Sequence, residues 1–242
     1  NTQDGYIGFM LDFFRKLRMY KLRSKVEISV DSDGWIIAAV FGSGALDALD
    51  LPAERGAASA FAEGIAFVDP RHADAGARVL LAEVTGGGAL GAAGLMETDR
   101  DAYDRRRVSL GLPDGSRDMA VEKTVLLEAG FEELGGVDFQ KGCYMGQELT
   151  ARTKYRGLVK RRLMPIIING PLPASGTEIT LDGKEAGEIR SVVANGGAGG
   201  EGGGMGLAMI RLNRLDEALR SGDPLTADEA TVIPHKPDWA NF

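Results

Sequence analysis

The sequence predicts an α+β protein that ends in a small, closed or nearly closed β-sheet. Residues 9–20 place apolar side chains at helical spacings with basic residues between them, which predicts an amphipathic helix. Alternating or continuous apolar runs follow at 25–30, 35–42 and 64–71, bounded by turn residues, and these runs predict strands. After residue 157 the pattern changes to β-hairpins. A helix and strands followed by hairpins are typical of an α+β layer with a separate sheet.

The middle of the chain gives weaker signals. Residues 76–94 are rich in Ala and Gly and contain the strand-like run 77–84. The pattern therefore does not decide between helix and strand in this region. A helix is predicted over 101–111, ending at Gly111.

Asp118 is an N-cap candidate for a further helix over 119–130, with Gly130 as its stop. Glu128 would then lie at the negative end of the helix dipole, where a carboxylate needs a compensating partner.

The C-terminal third has the turn chemistry of hairpins. Asp182 and Gly183 separate two alternating runs, and residues 205–212 form another strand-like run. The glycine-rich stretch 195–204 lacks the Lys-Ser/Thr of a P-loop and the spacing of a Rossmann motif, so we interpret it as a flexible hairpin loop.

Composition limits the function classes. The chain has 242 residues, 44% of them hydrophobic and 26% charged, with a net charge of −7 and a pI near 5.0. That charge disfavours direct nucleic-acid binding and anionic membranes. No apolar run approaches the roughly 20 residues of a membrane span, and no basic and apolar leader precedes Gly5. We therefore expect neither membrane insertion nor a signal peptide.

Cys143 is the single cysteine, so the chain cannot form an internal disulfide. This favours a reducing compartment, with the cytoplasm as the default. His72 and His235 lie far from Cys143 and from each other in sequence, so no metal site is predicted. Residues after Gly146 are good helix formers, which would place the Cys143 thiol ahead of a helix N-terminus with Lys141 nearby, a setting that lowers a thiol pKa. A small buried residue that merely packs is the alternative.

The run KGCYMGQE at 141–148 resembles the signature of the YgfZ family, folate-binding proteins of iron-sulfur cluster assembly and repair that are related to the T-protein of the glycine cleavage system. The T-protein has a related stretch without this cysteine, so the motif points to the YgfZ branch. Five further runs resemble the family in the same order, at 17–28, 68–71, 112–118, 125–134 and 151–163.

The resemblance implies a T-protein-like multi-domain fold, with ferredoxin-like α+β domains around a central folate cavity and a C-terminal β-barrel. On this basis residues 1–75 belong to the first and second α+β folate-binding domains, 76–157 complete that region with the motif, and 158–242 form the barrel. It also implies tetrahydrofolate or a one-carbon derivative as cofactor and iron-sulfur client or carrier proteins as partners. The implied location is the cytoplasm, or the mitochondrial matrix if the protein is eukaryotic.

The same resemblance assigns roles to particular residues. Cys143 becomes the functional thiol, with Lys141 beside it. Glu128 resembles the T-protein glutamate that binds the pterin ring, and a carboxylate can accept two hydrogen bonds from the ring N–H and amine. The other cofactor-binding candidates lie on the motif and the helix after it: Tyr144, Gly146, Gln147, Glu148, Arg152 and Tyr155.

A basic stretch runs from 152 to 162 without an acidic residue. It is suited to the glutamate tail of a folate, a phosphate or an acidic partner. Arg152 shares the predicted helix with the motif and is the better site candidate. Lys160, Arg161 and Arg162 are also typical of charges that protect an exposed edge strand.

We therefore expect a tetrahydrofolate-binding factor that acts in iron-sulfur cluster assembly or repair through Cys143. Two alternatives stay open, a folate-dependent aminomethyltransferase of the T-protein type and a folate-binding module without catalysis. In the T-protein the catalytic aspartate lies ahead of the predicted first helix, in a region that this sequence does not show. A role in tRNA modification would be indirect, through iron-sulfur client enzymes.

Overall fold

Two antiparallel β-sheets form the framework of the protein. The computed structural model describes residues 2–31, 33–144, 146–157, 159–195 and 202–241. The first sheet has four strands and the second closes into a six-stranded barrel, so the predicted α+β class with a closed C-terminal sheet is confirmed.

The helices are α1 (Thr2–Lys21), α2 (Glu83–Ala92), α3 (Arg100–Ser109), α4 (Gly115–Asp118), α5 (Gln147–Tyr155) and α6 (Leu212–Ser221). The strands of the first sheet are β1 (Trp35–Val40), β2 (Ala58–Phe61), β3 (Gly64–Val68) and β4 (Ala77–Ala82). The strands of the barrel are β5 (Arg161–Asn169), β6 (Glu178–Leu181), β7 (Lys184–Ala194), β8 (Gly204–Arg211), β9 (Leu225–Ala227) and β10 (Ala230–Pro234).

The first sheet has the strand order β1-β4-β3-β2. Strand β4 shows strict alternation, with Ala77, Val79 and Leu81 buried and the residues between them half-buried. This alternation resolves the ambiguous region, since the strand-like run forms β4 and the residues after it form α2. A core of buried apolar side chains from β1, β3 and β4 lies on one side of the sheet.

The barrel has the order β10-β5-β8-β7-β6-β9. Its interior is filled by apolar side chains, among them Ile166, Ile168, Ile179, Ile189 and Ile210, all fully buried. The predicted turn at Asp182 and Gly183 is confirmed, because both residues have positive φ and join β6 to β7. The predicted loop at 195–204 falls largely on 196–201, which lie outside the described residues.

A buried polar cluster joins the helices to the barrel. Arg107 on α3 donates to Asp104 at 2.7 Å, to Asp118 at 2.7 Å and to Ser191 of β7 at 2.9 Å. Only 2% of the Arg107 side chain is exposed, and Asp118 is fully buried. The α+β region is thereby fixed to the barrel through paired charges.

Two predicted elements are wrong. Residues 119–125 form turns rather than a helix, and only a 3-10 turn at Leu126–Ala129 precedes Gly130. Asp118 caps no long helix, because its carboxylate accepts hydrogen bonds from Arg107 and from the Ser191 hydroxyl. Residues 25–30 form no strand, and Val26 and Val30 are exposed, since these residues pair with no strand in the part of the chain that the structure describes.

The first helix is confirmed and extends beyond the predicted bounds, but Phe13 and Leu17 are exposed. Among the described residues, none of the helices combines the length and apolar character needed to cross a bilayer.

Candidate functional site around Cys143 and Glu128

The motif loop is shaped by two glycines. Gly142 has φ +91° and Gly146 has φ +83°, both in the left-handed region that side chains with a Cβ avoid. Gly146 is the N-cap of α5. Cys143 lies between these two bends, which explains why its neighbourhood requires glycines.

Cys143 is exposed and carries a free thiol. The alternative of a buried packing residue is therefore wrong. The thiol lies in the loop that enters α5, as predicted. The described contact of Lys141 is with Tyr144, whose ring centroid lies 4.9 Å from the ammonium. Activation of Cys143 by Lys141 stays a prediction.

Helix α5 connects the loop to the rest of the site. Gln147 folds the loop onto the helix start, since its side-chain oxygen accepts a hydrogen bond from the Tyr144 backbone N–H at 3.1 Å. Thr153 faces inward and is buried, whereas Glu148, Arg152 and Tyr155 are exposed. The spacing of these three residues places them on one side of the helix.

Aromatic contacts hold the segment before the motif. Phe139 meets Tyr155 edge to face with ring centroids 6.4 Å apart. Lys154 lies 4.0 Å from the Phe139 ring centroid and forms an ion pair with Glu132. Tyr155 is nevertheless 75% exposed as a residue, so much of its surface is free to meet a ligand or partner.

Glu128 lies in the 3-10 turn Leu126–Ala129 and is buried. Arg161 of β5 donates two hydrogen bonds to its carboxylate, at 3.1 and 2.9 Å. The hydrogen bond to Glu128 raises the pKa of Arg161, against the opposing effect of burial. Glu128 does have a compensating partner in Arg161, but the reason differs from the predicted one, because the helix is absent and it is burial of the carboxylate that makes a partner necessary.

At Arg161 and Arg162, strand β5 pairs with β8, whereas its pairing with β10 covers only residues 166–169. The edge-strand interpretation of these charges therefore stays a prediction, and the structure adds specific partners for both arginines. Arg162 donates to the Leu127 carbonyl at 2.7 Å, and burial lowers its pKa. These arginines hold the Glu128 turn against the barrel, which distinguishes them from solvated surface charges.

The predicted residues therefore form two adjoining groups. One is the exposed surface of the motif loop and α5, and the other is the buried Glu128 and its partner Arg161. Helix α5 packs against the 3-10 turn that carries Glu128, so the two groups are neighbours.

Sequence reasoning missed two residues beside this site, Lys123 and Arg190, which line a cleft together with Arg161. Lys123 lies in the predicted helix that does not form, and Arg190 carried no signal beyond strand alternation.

Residues 160–242 match the family model described as CAF17, C-terminal beta-barrel domain, which covers the observed barrel. Iron-sulfur cluster assembly factor IBA57, mitochondrial, from Mus musculus is 34% identical over 236 residues, covering 93% of this chain and 60% of the mouse protein. The Homo sapiens protein of that name is 34% identical over 237 residues with the same coverage. A Neurospora crassa homolog is 38% identical over 120 residues, 49% of this chain and 26% of that protein.

The chain thus spans about 60% of the length of the mouse and human proteins that it matches. Among solved structures, the crystal structure of glycine cleavage system aminomethyltransferase T from Bartonella henselae has a TM-score of 0.58 and 15% sequence identity. The match covers 95% of this chain and 66% of that one, and it shows a common fold. These findings agree with the predicted T-protein-like fold, while the predicted domain boundaries stay a prediction.

Proposed function

We propose that this chain is an iron-sulfur cluster assembly or repair factor that binds tetrahydrofolate and acts through the thiolate of Cys143. Similarity to proteins named iron-sulfur cluster assembly factors supports the general role, since it extends over 93% of this chain. The folate and thiol parts are supported by the motif resemblance and by the arrangement of Glu128 and Cys143.

The observation that carries the proposal is the exposure of Cys143 in a loop shaped by glycines at the start of α5. An exposed thiolate can reach an iron-sulfur cluster on another protein. One cysteine cannot hold a cluster that usually takes four thiolates, and among the described residues no group of three or more His, Cys, Asp and Glu side chains is arranged to hold a metal. The cluster is therefore a shared substrate, with the remaining ligands supplied by a partner protein or glutathione.

The residues near Glu128 suit tetrahydrofolate. A carboxylate has about four lone-pair positions, and Arg161 uses two of them. The other two can accept hydrogen bonds from the pterin N–H and amine. The partly exposed rings of Tyr144 and Tyr155 offer apolar surface for the rest of the ligand. Arg152, also exposed on α5, adds a positive charge for the carboxylates of the folate tail.

The relatives are mitochondrial proteins by name. This supports a mitochondrial location for a eukaryotic member, while the cytoplasmic alternative stays a prediction.

The thiol is tested by complementation. Cells that lack the endogenous relative are given the full-length gene as wild type, Cys143→Ala or the exposed-loop control Ser43→Ala, and the activity of an iron-sulfur enzyme is measured. We expect wild type and Ser43→Ala to restore activity and Cys143→Ala to fail at equal protein level. Equal rescue by all three would overturn the thiol role.

Folate binding is tested separately by anaerobic equilibrium dialysis with tetrahydrofolate. Glu128→Gln should weaken binding about tenfold or more, because it removes a charged acceptor. Glu178→Gln, an exposed glutamate of β6, is the control and should bind like wild type. Unchanged affinity in Glu128→Gln would exclude this carboxylate as the pterin acceptor.

A further inference from the structure

A polar cleft of about 240 Å³ separates the turn at 120–124 from strands β5, β7 and β8. Its walls include Lys123, Thr124, Arg161, Glu188, Arg190 and Met209. The Thr124 hydroxyl accepts a hydrogen bond from the Ala120 N–H at 2.8 Å and so fixes the turn that presents Lys123. None of the described motif residues, 141–144 and 146–148, lines this cleft.

Three cationic side chains from three separate segments meet there. Lys123 is exposed, and its ammonium has no hydrogen-bond or ion-pair partner among the described residues. The side chain of Arg190 is 16% exposed and pairs with Glu188 at 2.8 Å, while its Nε is buried without an acceptor in the described part of the chain. Arg161 reaches the cleft while it holds Glu128.

The charge of the walls is opposite to that of the whole protein. Lys123, Arg161 and Arg190 face a single lining carboxylate, Glu188, in a chain of net charge −7. Arg161 is paired with Glu128 and Arg190 with Glu188, so Lys123 leaves the cleft with a net positive charge, which favours an anion over a metal ion. Guanidinium groups bind carboxylate and phosphate oxygens through strong, charge-assisted hydrogen bonds.

The size of the cleft limits the ligand. Pockets for drug-sized ligands begin near roughly 300 Å³ and are mostly apolar. This cleft is smaller, and charged side chains dominate its walls. A phosphate or a short dicarboxylate has the right charge and fits the cleft, whereas an apolar ligand would desolvate the Lys123 ammonium and the buried Arg190 Nε without giving either an acceptor.

We propose that this cleft binds a small dianionic oxyanion, phosphate or a short dicarboxylate, between Lys123, Arg161 and Arg190. The site requires neither Cys143, an iron-sulfur cluster nor a pterin, although it shares Arg161 with the Glu128 pair. The shared chemistry is a pair of negative oxygens that bridge the Lys123 ammonium and the two guanidinium groups.

Isothermal titration calorimetry of the full chain with sodium phosphate and, separately, sodium glutarate tests the proposal at low, constant ionic strength. The variants are Lys123→Gln and Arg190→Gln, and the matched control is Lys184→Gln, an exposed lysine of β7 outside the cleft. We expect saturable binding of at least one anion by wild type and control. Lys123→Gln should weaken it about three- to fivefold, and Arg190→Gln about tenfold or more.

Each outcome either supports or overturns the proposed anion site. Binding of phosphate alone or of glutarate alone identifies which source of oxyanion the cleft accepts. Absence of saturable binding to both, or equal affinity in Lys123→Gln and Lys184→Gln, would overturn the site. Lys123 is exposed, so its replacement leaves the fold intact and the test stands even if Arg190→Gln unfolds.

Discussion

Arg161 donates two hydrogen bonds to the carboxylate of Glu128, at 3.1 and 2.9 Å, and so ties a turn of the α+β region to the first strand of the barrel. The carboxylate proposed to recognise pterin is therefore also a structural contact between the two parts of the protein. A ligand that competes for this carboxylate would change the environment of Arg161 and of the cleft beside it.

Replacement of Arg161 should destabilise the fold. In Arg161→Met the Glu128 carboxylate, whose side chain is 9% exposed, loses both donors. We expect the free energy of unfolding to fall by about 1–2 kcal/mol, a value kept small because 38% of the Arg161 side chain is exposed. Urea denaturation measures the change.

Two further variants isolate the pair. Arg220→Met, on α6, removes an exposed arginine whose one hydrogen bond to a described residue is with the Asp216 carbonyl of the same helix, and should have little effect. Adding Glu128→Gln to Arg161→Met should recover part of the loss, since a neutral amide costs less to bury than an unpaired charge. If Arg161→Met were as stable as wild type, the pair would contribute nothing measurable.

Asp104 should make stability depend on pH. Burial raises the pKa of this carboxyl, but hydrogen bonds from Arg117 and Arg107 more than offset that effect and lower it from 3.8 to about 2. A carboxyl with a lowered pKa stabilises the fold fully above its unfolded pKa, and the contribution is lost as the pH falls from ~4 to ~2. We expect protonation of Asp104 to lower the free energy of unfolding by roughly 2 kcal/mol.

Urea unfolding between pH 7 and pH 2.5 tests this prediction. Asp104→Asn should be less stable than wild type at pH 7 and should lose less stability on acidification. The exposed control Asp223→Asn should keep the wild-type pH dependence. If the stability of Asp104→Asn fell with pH as steeply as that of wild type, Asp104 would not be a source of the pH dependence.

Cys143 should be dispensable for folding. Its side chain is exposed, so Cys143→Ala should change the free energy of unfolding by no more than about 0.5 kcal/mol. Iodoacetamide should add one label to the native protein and none to the variant, as mass spectrometry would show. A destabilisation well above 1 kcal/mol, or labelling only after unfolding, would mean that the thiol packs inside the protein.

Gly146 should be required for the shape of the motif loop. Its φ of +83° is strained for alanine, so Gly146→Ala should lower the free energy of unfolding by about 1 kcal/mol. Gly88→Ala is the matched control, because Gly88 is helical, has open space around its Cα and should gain stability as alanine. Thermal unfolding measures the change in stability of both variants. If both changes had the same sign, the argument from the conformation of Gly146 would be refuted.

Local chemistry made several elements predictable. The Asp182-Gly183 turn and the helix after Gly146 each depend on a few neighbouring residues, and the sequence predicts both. Strand β4 lies in a region where the sequence does not distinguish helix from strand, and its pairing with β1 and β3 decides it. The predicted helix over 119–130 does not form. Its N-cap candidate, Asp118, binds Arg107 instead, and this tertiary contact outweighs the helix propensity of the residues that follow. The predicted strand at 25–30 failed because alternation favours an extended chain but does not supply a strand to pair with.

The sequence by itself determined the fold class, the motif that contains Cys143 and the expectation that Glu128 needs a partner. These depend on periodicity, on glycine conformation and on the identity of nearby residues. Only the tertiary structure decided that the partner is Arg161, that Cys143 is exposed and that Lys123 and Arg190 meet in one cleft. Those contacts join segments 33 or more residues apart, and their formation depends on how the barrel packs against the α+β region.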